Sequence, residues 1–176
     1  MPIKLKFNNP FLNAWMLFRL TYYSVVKCED ELFVGIKLTS QQLAALMALK
    51  QAPEPVTLTD IANWLDRDTA SITSIIDHMS KQGLVERVRD LKDRRAVRLV
   101  MTNRGEEVLS QAREPVVKQM MEIMSCLSEE EVQSLSRLME KIRDRTFNYR
   151  NIKGEIREIT PTIANEKEFP WPVAKE

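Results

Sequence analysis

Apolar residues recur at helical spacing along most of this chain, and at one place the period switches from 3.6 to 2. After Asn9-Pro10, which reads as an N-cap with proline at the first helical position, Phe11, Trp15, Phe18, Tyr22 and Val25 fall on one stripe. Leu12, Met16, Leu20, Tyr23 and Val26 form a second stripe on the same segment. A helix apolar on two faces needs two burial partners, so it is expected either as a central core helix or between a domain core and a second subunit. Thr39-Ser-Gln-Gln42 fits a capping box, and the helix it opens places Leu43, Leu46 and Met47 on one face before Pro53 and Pro55 end it. An extended Val56-Thr57-Leu58 then leads into a short helix over 59–65, with Ile61, Ala62 and Leu65 inward. Asp66 or Asp68 caps a longer helix through Gln82, with Ile72, Ile75, Ile76 and Met79 as its buried stripe and Gly83 as its stop.

The switch in period follows directly. Val85-Glu-Arg-Val-Arg89 and the alternating run from Ala96 to Thr102 predict two short strands joined by the charged tip Asp90-Leu-Lys-Asp-Arg-Arg95. Beyond Thr102-Asn103 a long helix carries Val108, Leu109, Val116, Val117, Met120, Met121 and Met124, with a bend expected at Pro115. Ser128-Glu-Glu-Glu131 starts a last helix with Val132, Leu135, Leu138, Met139 and Ile142 on one side. From about Asn151 the chain turns to mixed charges with Gly154, Pro161, Pro170 and Pro172, the pattern of a poorly structured tail. The expected fold class is mainly α with a small β-hairpin.

Composition adds constraints. With 44% hydrophobic and 29% charged residues over 176 positions, the chain has the make-up of a soluble globular protein with apolar surface to spare for an interface. The formal net charge is +1, so binding to a polyanion must come from local charge. That charge lies in the hairpin: between Leu84 and Arg104 seven basic residues face three acidic ones. Cys28 and Cys126 are far apart and His78 is the single histidine, so neither a zinc cluster nor a disulfide framework is indicated, and no metal or cofactor is expected. Cys28, near Tyr22 and Tyr23, is either a small buried hydrophobe or a thiol that senses oxidants. The N-terminus lacks the apolar run of a signal peptide, and no apolar stretch approaches the roughly 20 residues of a membrane helix. A cytoplasmic protein that does not enter membranes is expected. An enzyme is disfavoured, because no nucleophile–base pair, phosphate-cradling glycine loop or metal-ligand cluster stands in the sequence.

Two helices joined by a short turn, the second capped and amphipathic, have the pattern of a helix-turn-helix, and the hairpin follows it as a wing would. Several motifs fall in register with that order: Leu38-Thr-Ser-Gln-Gln42, Leu58-Thr-Asp-Ile-Ala62, Ile72-Thr73, Asp77, Gly83-Leu-Val85, Asp90-x-Lys-Asp93-x-Arg95 and Leu99-Val-Met-Thr102-x-x-Gly105. Together they make the chain, over roughly residues 10–150, resemble the MarR family of winged-helix transcription regulators. The resemblance implies a dimer of DNA-binding subunits. Residues 1–9 would be an N-terminal arm, 10–37 and 103–150 a helical dimerisation domain, 39–102 the winged helix-turn-helix and 151–176 a C-terminal tail.

On the second helix of the motif the face opposite the buried stripe offers Ala70, Ser74, Asp77 and Lys81, flanked by Thr69, Ser71, Thr73 and His78. Small and hydroxyl side chains allow close approach to the floor of a major groove and can exchange hydrogen bonds with base edges. The same residues would equally make an ordinary solvated face. Ser74 and His78 stand where relatives often carry arginine, and Asp77 adds an acid that repels phosphate unless it accepts from a base amine or pins a cation such as Arg67 or Lys81. In the wing, the resemblance implies that Arg95 enters the minor groove held by Asp93, with Arg87, Arg89, Lys92 and Arg94 near phosphates. It also implies regulation through a pocket between the dimer domain and the DNA-binding lobe. Trp15, Tyr22 and Met47 are candidate walls for a small aromatic or amphipathic effector, or else core residues.

The resulting expectation is a homodimeric, sequence-specific regulator, a repressor on a pseudo-palindromic operator in double-stranded DNA, released by a ligand. The alternative, motivated by the near-neutral charge and the acid on the motif's second helix, is a winged-helix module that binds protein instead. The two differ in salt dependence, steep for DNA and shallow for an apolar interface.

Overall fold

The computed structural model describes residues 6–89 and 97–150. Along them run α1 (Pro10–Leu32), a short 3-10 turn (Val34–Ile36), α2 (Ser40–Gln51), α3 (Leu58–Trp64) and α4 (Thr69–Lys81). Next come β1 (Val85–Arg89), β2 (Val97–Met101), α5 (Asn103–Met124) and α6 (Glu129–Tyr149). The mainly helical class with one two-stranded antiparallel hairpin is as expected. The chain divides into two compact units, residues 1–112 and 113–176, the division falling within α5 one turn before Pro115.

The helix starts are chemical. Asn9 Oδ1 accepts from the Leu12 N–H at 3.0 Å, with proline at the first helical position. Thr39 and Gln42 form a reciprocal capping box on α2, and Ser128 and Glu131 another on α6. A third was not anticipated: Thr57 Oγ1 accepts from the Asp60 N–H while Asp60 Oδ2 accepts from the Thr57 N–H at 2.8 Å, starting α3 one residue earlier than the apolar pattern indicates. A helix of seven residues cannot hold itself in water, so α3 depends on this cap and on the burial of Ile61 and Ala62. Of the two aspartates ahead of α4, Asp68 is the cap; Asp66 occupies the left-handed region at φ 50° and carries the turn.

In the first unit α2, α3, α4 and the hairpin close around Leu46, Ile61, Ile72, Ile76, Met79, Val85 and Leu99. Each such side chain contributes on the order of 1.5–3 kcal/mol relative to an exposed one. Ile75, expected in the buried stripe, is only half-buried, because it borders an open groove. β1 and β2 pair from Val85 opposite Met101 to Arg89 opposite Val97. The hairpin is tied to the helices from outside the ladder, where the Leu99 N–H donates to the Val56 carbonyl at 2.8 Å.

Gly83 ends α4 at φ 72°, the left-handed conformation glycine adopts without Cβ strain. The Leu84 N–H reaches back to the Met79 carbonyl at 2.9 Å and the Gly83 N–H to that of Ser80 at 3.0 Å, a Schellman pair. Thr102 closes the same knot from the far end of the hairpin. Its N–H donates to the Leu84 carbonyl at 3.1 Å, its hydroxyl donates to the Gly83 carbonyl at 2.6 Å, and its Oγ1 accepts from the Gly105 N–H at 3.0 Å. Gly105 lets α5 start against this knot, since a Cβ there would lie 2.3 Å from the Leu84 carbonyl oxygen and 2.7 Å from Met101 Cγ.

The second unit contains α6 and the C-terminal part of α5. α6 opens with Glu129, Glu130 and Glu131 in its first turn, where carboxylates favour the helix dipole. Its apolar stripe, Leu135, Leu138, Met139 and Ile142, is exposed, and no residue of α6 is buried. In the first unit α1 likewise buries none, leaving Phe11 85% and Trp15 52% exposed.

Gly105→Ala is expected to destabilise the protein by about 1–3 kcal/mol through overpacking against backbone that has no side-chain freedom to yield. Urea unfolding followed by circular dichroism measures it; a midpoint at or above that of the wild type would disprove the packing role.

Candidate nucleic-acid interface

α4 is amphipathic, and its outward face is polar and nearly neutral. Ile72, Ile76 and Met79 are buried, while Thr69, Ala70, Ser74, His78 and Lys81 are exposed and Ser71, Thr73 and Asp77 half-buried. All eight residues expected to face DNA on this helix therefore keep solvent access. Their hydrogen-bond states differ. Ser71 Oγ donates to Asp68 Oδ2 at 2.7 Å and Thr73 Oγ1 to the Thr69 carbonyl at 2.7 Å, so both protons are already committed within the helix. Ser74 keeps its hydroxyl uncommitted among the described residues. His78 Nδ1 lies 2.8 Å from the Ser74 carbonyl. A carbonyl can only accept, so Nδ1 carries the proton of this bond, and the tautomer it selects has Nε2 as the acceptor.

Asp68 fixes the start of this helix. The Ser71 hydroxyl, and then the Ser71 N–H at 2.8 Å, donate to its carboxylate and hold its pKa below the ordinary aspartate value.

Asp77 has a partner that the sequence did not suggest. Its Oδ1 lies 2.7 Å from Nη2 of Arg87 on β1, whereas Arg67 and Lys81 were the expected cations. The pairing register explains it: Arg87 stands opposite Leu99 and two residues from the buried Val85, on the hairpin face turned to α4. The ion pair is about half exposed, and joins the helix to the hairpin by a charge-assisted hydrogen bond. It also neutralises the one acid on the outward face. Arg89, farther along β1, is exposed. Lys92, Asp93, Arg94 and Arg95, the expected tip of the wing, lie outside the described residues, as do residues 1–5 of the arm and the tail from 151.

Beside α4 is a groove that sequence reasoning missed. It has a volume of about 620 Å³ and runs between the N-terminal end of α2 (Lys37, Leu38, Thr39, Gln41, Gln42) and the flank of α4 (Ser74, Ile75, His78, Lys81, Gln82). Its lining residues include two lysines and no acid. One signal in the sequence bears on it: the Thr39 capping box, which opens α2 beside the groove. None of Trp15, Tyr22 or Met47 lines it. Trp15 stacks at a tilt near Phe18, with ring centroids 6.2 Å apart, and Tyr22 lies beside Tyr23 at 5.7 Å; both are exposed, while Met47 is half-buried in α2. Cys28 is half-buried and Cys126 exposed, and neither is in a disulfide. Among the described residues no group of three or more His, Cys, Asp or Glu could hold a metal ion, and no helix is long and apolar enough to cross a membrane.

A capped, solvent-facing helix braced against a basic two-stranded hairpin is the arrangement of a winged helix-turn-helix. The MarR family profile matches residues 38–97, which contain α2, α3, α4 and β1. The transcriptional regulator PecS of Dickeya dadantii is 28% identical over 123 residues, 69% of this chain and 74% of PecS. The fold is shared with the S. aureus MepR–DNA complex (TM-score 0.70, 19% identity, 78% of this chain and 99% of that one). It is shared as well with the organohalide-sensing regulator RdhR in its 2,4-dichlorophenol-bound form (TM-score 0.76, 19% identity, 90% and 100%). Residues 38–97 thus match the MarR family of winged-helix transcriptional regulators, a DNA-binding, non-enzymatic family.

Asp77→Asn is expected to release Arg87 and remove an acid from the outward face of α4. Affinity for a random-sequence duplex should rise and the slope of log K against log salt should steepen by about one unit, measured by fluorescence anisotropy over a salt series. For Asp68 the lowered pKa means a cap whose stabilisation is complete above the ordinary aspartate pKa and lost as pH falls through the folded-state value. The stability difference between wild type and Asp68→Ala should accordingly vanish at the acid end of a series of urea melts.

Proposed function

We propose that this chain works in the cytoplasm as a homodimeric, sequence-specific regulator, a repressor that occupies a pseudo-palindromic operator in double-stranded DNA and is released by a small aromatic or amphipathic molecule. The observation that carries the proposal is the arrangement of α4: an outward surface with a Ser74 hydroxyl uncommitted among the described residues and an exposed imidazole on His78, braced against a basic hairpin. These groups suit base edges in a major groove, and Arg89 with the tip residues Lys92, Arg94 and Arg95 suits the flanking phosphates and minor groove. The structures of MepR with DNA and of RdhR with 2,4-dichlorophenol support the two partner classes.

Dimerisation is supported by apolar surface that a single copy leaves bare. α1 exposes Phe11, Trp15, Leu17, Tyr22 and Tyr23, and α6 exposes Leu138, Met139 and Ile142 at one face. Patches of this extent are rare on monomers, and a two-fold pairing covers the same patch on both copies. Residues 10–37 and 103–150 are assigned to that interface and 39–102 to DNA. Trp15, Tyr22 and Met47 remain the proposed walls of the effector site, with the tail from 151 unassigned.

Footprinting against the DNA upstream of the protein's own gene tests the proposal. Protection should cover two half-sites about 10 base pairs apart, one helical turn. Arg95→Ala should abolish tight binding to the protected site while sedimentation shows an unchanged dimer; retained affinity at physiological salt would remove the wing from the mechanism. Binding that scarcely responds to salt would favour a protein-binding module.

A further inference from the structure

We propose that Gln82 is a positioning residue for DNA reading. Through a relay of two amide hydrogen bonds, it sets the angle at which α4 leaves α2 and thereby the placement of Ser74 and His78; the inference rests on the DNA-reading role proposed for α4.

The relay crosses the end of the groove. Gln42 is the buried polar side chain of the first unit's core, 7% exposed. Its Oε1 accepts from the Thr39 N–H at 3.1 Å as half of the α2 capping box, which leaves Nε2 as its free end. That Nε2 donates to Gln82 Oε1 at 2.9 Å, and Gln82 Nε2 donates in turn to the Lys37 carbonyl at 3.2 Å. Each amide's orientation is dictated by its neighbour: the Thr39 N–H can only donate and the Lys37 carbonyl can only accept, so the chain has one polarity. Lys37 holds the left-handed region at φ 54°, in the turn just before α2. Residues 40 and 45 positions apart are thus joined at the point where α4 ends.

Packing does not fix this side of the helix. Ile75 is only half-buried and about 620 Å³ of open groove separates the facing residues of α2 and α4. The relay therefore supplies the restraint that side-chain interdigitation supplies elsewhere. Ser74 and His78 lie about two turns and one turn before Gln82, roughly 12 and 6 Å along the axis. A tilt of about 10° pivoting at Gln82 would move Ser74 by about 2 Å, and base-edge hydrogen bonds tolerate only a few tenths of an ångström.

The test uses the full-length protein, a duplex that it enriches from a randomised library and a scrambled duplex of the same composition. Gln82→Met keeps the side-chain length and removes both bonds; Gln82→Glu keeps the acceptor for Gln42 and loses only the donor to Lys37. Gln82→Met is expected to lower selectivity, the ratio of the two affinities, by about tenfold, the size of one good base contact. Affinity for the scrambled duplex and the salt slope should stay unchanged, and Gln82→Glu should fall between the two in selectivity, a ratio in which its added charge cancels. In ¹⁵N spectra of the free protein the Gln42 side-chain amide protons should lose their protection from exchange in Gln82→Met. Unchanged selectivity in both variants would overturn the proposal, as would a salt slope reduced by about one unit, the mark of a direct phosphate contact. A parallel loss on both duplexes would also overturn it, pointing to general loss of the fold. If the wild type enriches no duplex, the DNA-reading role itself falls, a result distinct from a wild type that selects and a variant that selects equally well.

Discussion

The first compact unit of this molecule depends on where α4 is made to stop. Gly83 turns the backbone left-handed, the Schellman bonds close on Met79 and Ser80, and Leu84 is carried into the core instead of continuing the helix. Thr102 then returns to Gly83 and Leu84 from the end of β2, so the hairpin leaves and re-enters at one knot. Because both strands are anchored there, the direction of the hairpin is set by the last turn of α4. Gly105 completes the arrangement by letting α5 start against the Leu84 carbonyl, where a Cβ would collide. A short loop of sequence, 83–85, and a short motif, Thr102-x-x-Gly105, are two halves of one structural joint.

From that joint the electrostatics of the reading face follow. Arg87 comes off β1 two residues after the buried Val85, on the side of α4, and meets Asp77. An exposed pair of this kind adds little to stability, about 0.2–1 kcal/mol. Its effect is on surface charge: one acid and one base are taken out of play, and α4 presents hydroxyls, an imidazole acceptor and one lysine. Arg89, exposed farther along β1, adds a further positive charge to the hairpin.

Much of this was legible in the sequence because it is local. The Thr39 and Ser128 capping boxes, the Asn9-Pro10 helix start, the Gly83 stop and the alternation of Val85–Arg89 each depend on side chains within a few positions of one another. The exposed residues of α4 were legible too, since helical periodicity separates them from Ile72, Ile76 and Met79. What was not legible is long-range. The partner of Asp77 is ten residues away on a different element, and Ile75 is displaced from its apolar stripe by an opening to α2 that no periodicity encodes. The amides of Gln42 and Gln82 look in the sequence like a capping residue and a solvated helix end, and only the fold brings them within 2.9 Å.

The Asp77–Arg87 pair has a consequence for time as well as for affinity. Electrostatic attraction to phosphate is what keeps a regulator on sequences that are not its target, and a genome offers about 10⁶–10⁹ of them. A helix that cancels its own acid against a neighbouring cation, and carries little further charge, adds little to that attraction, so the time it can add to an encounter comes from hydrogen bonds that only some sequences return.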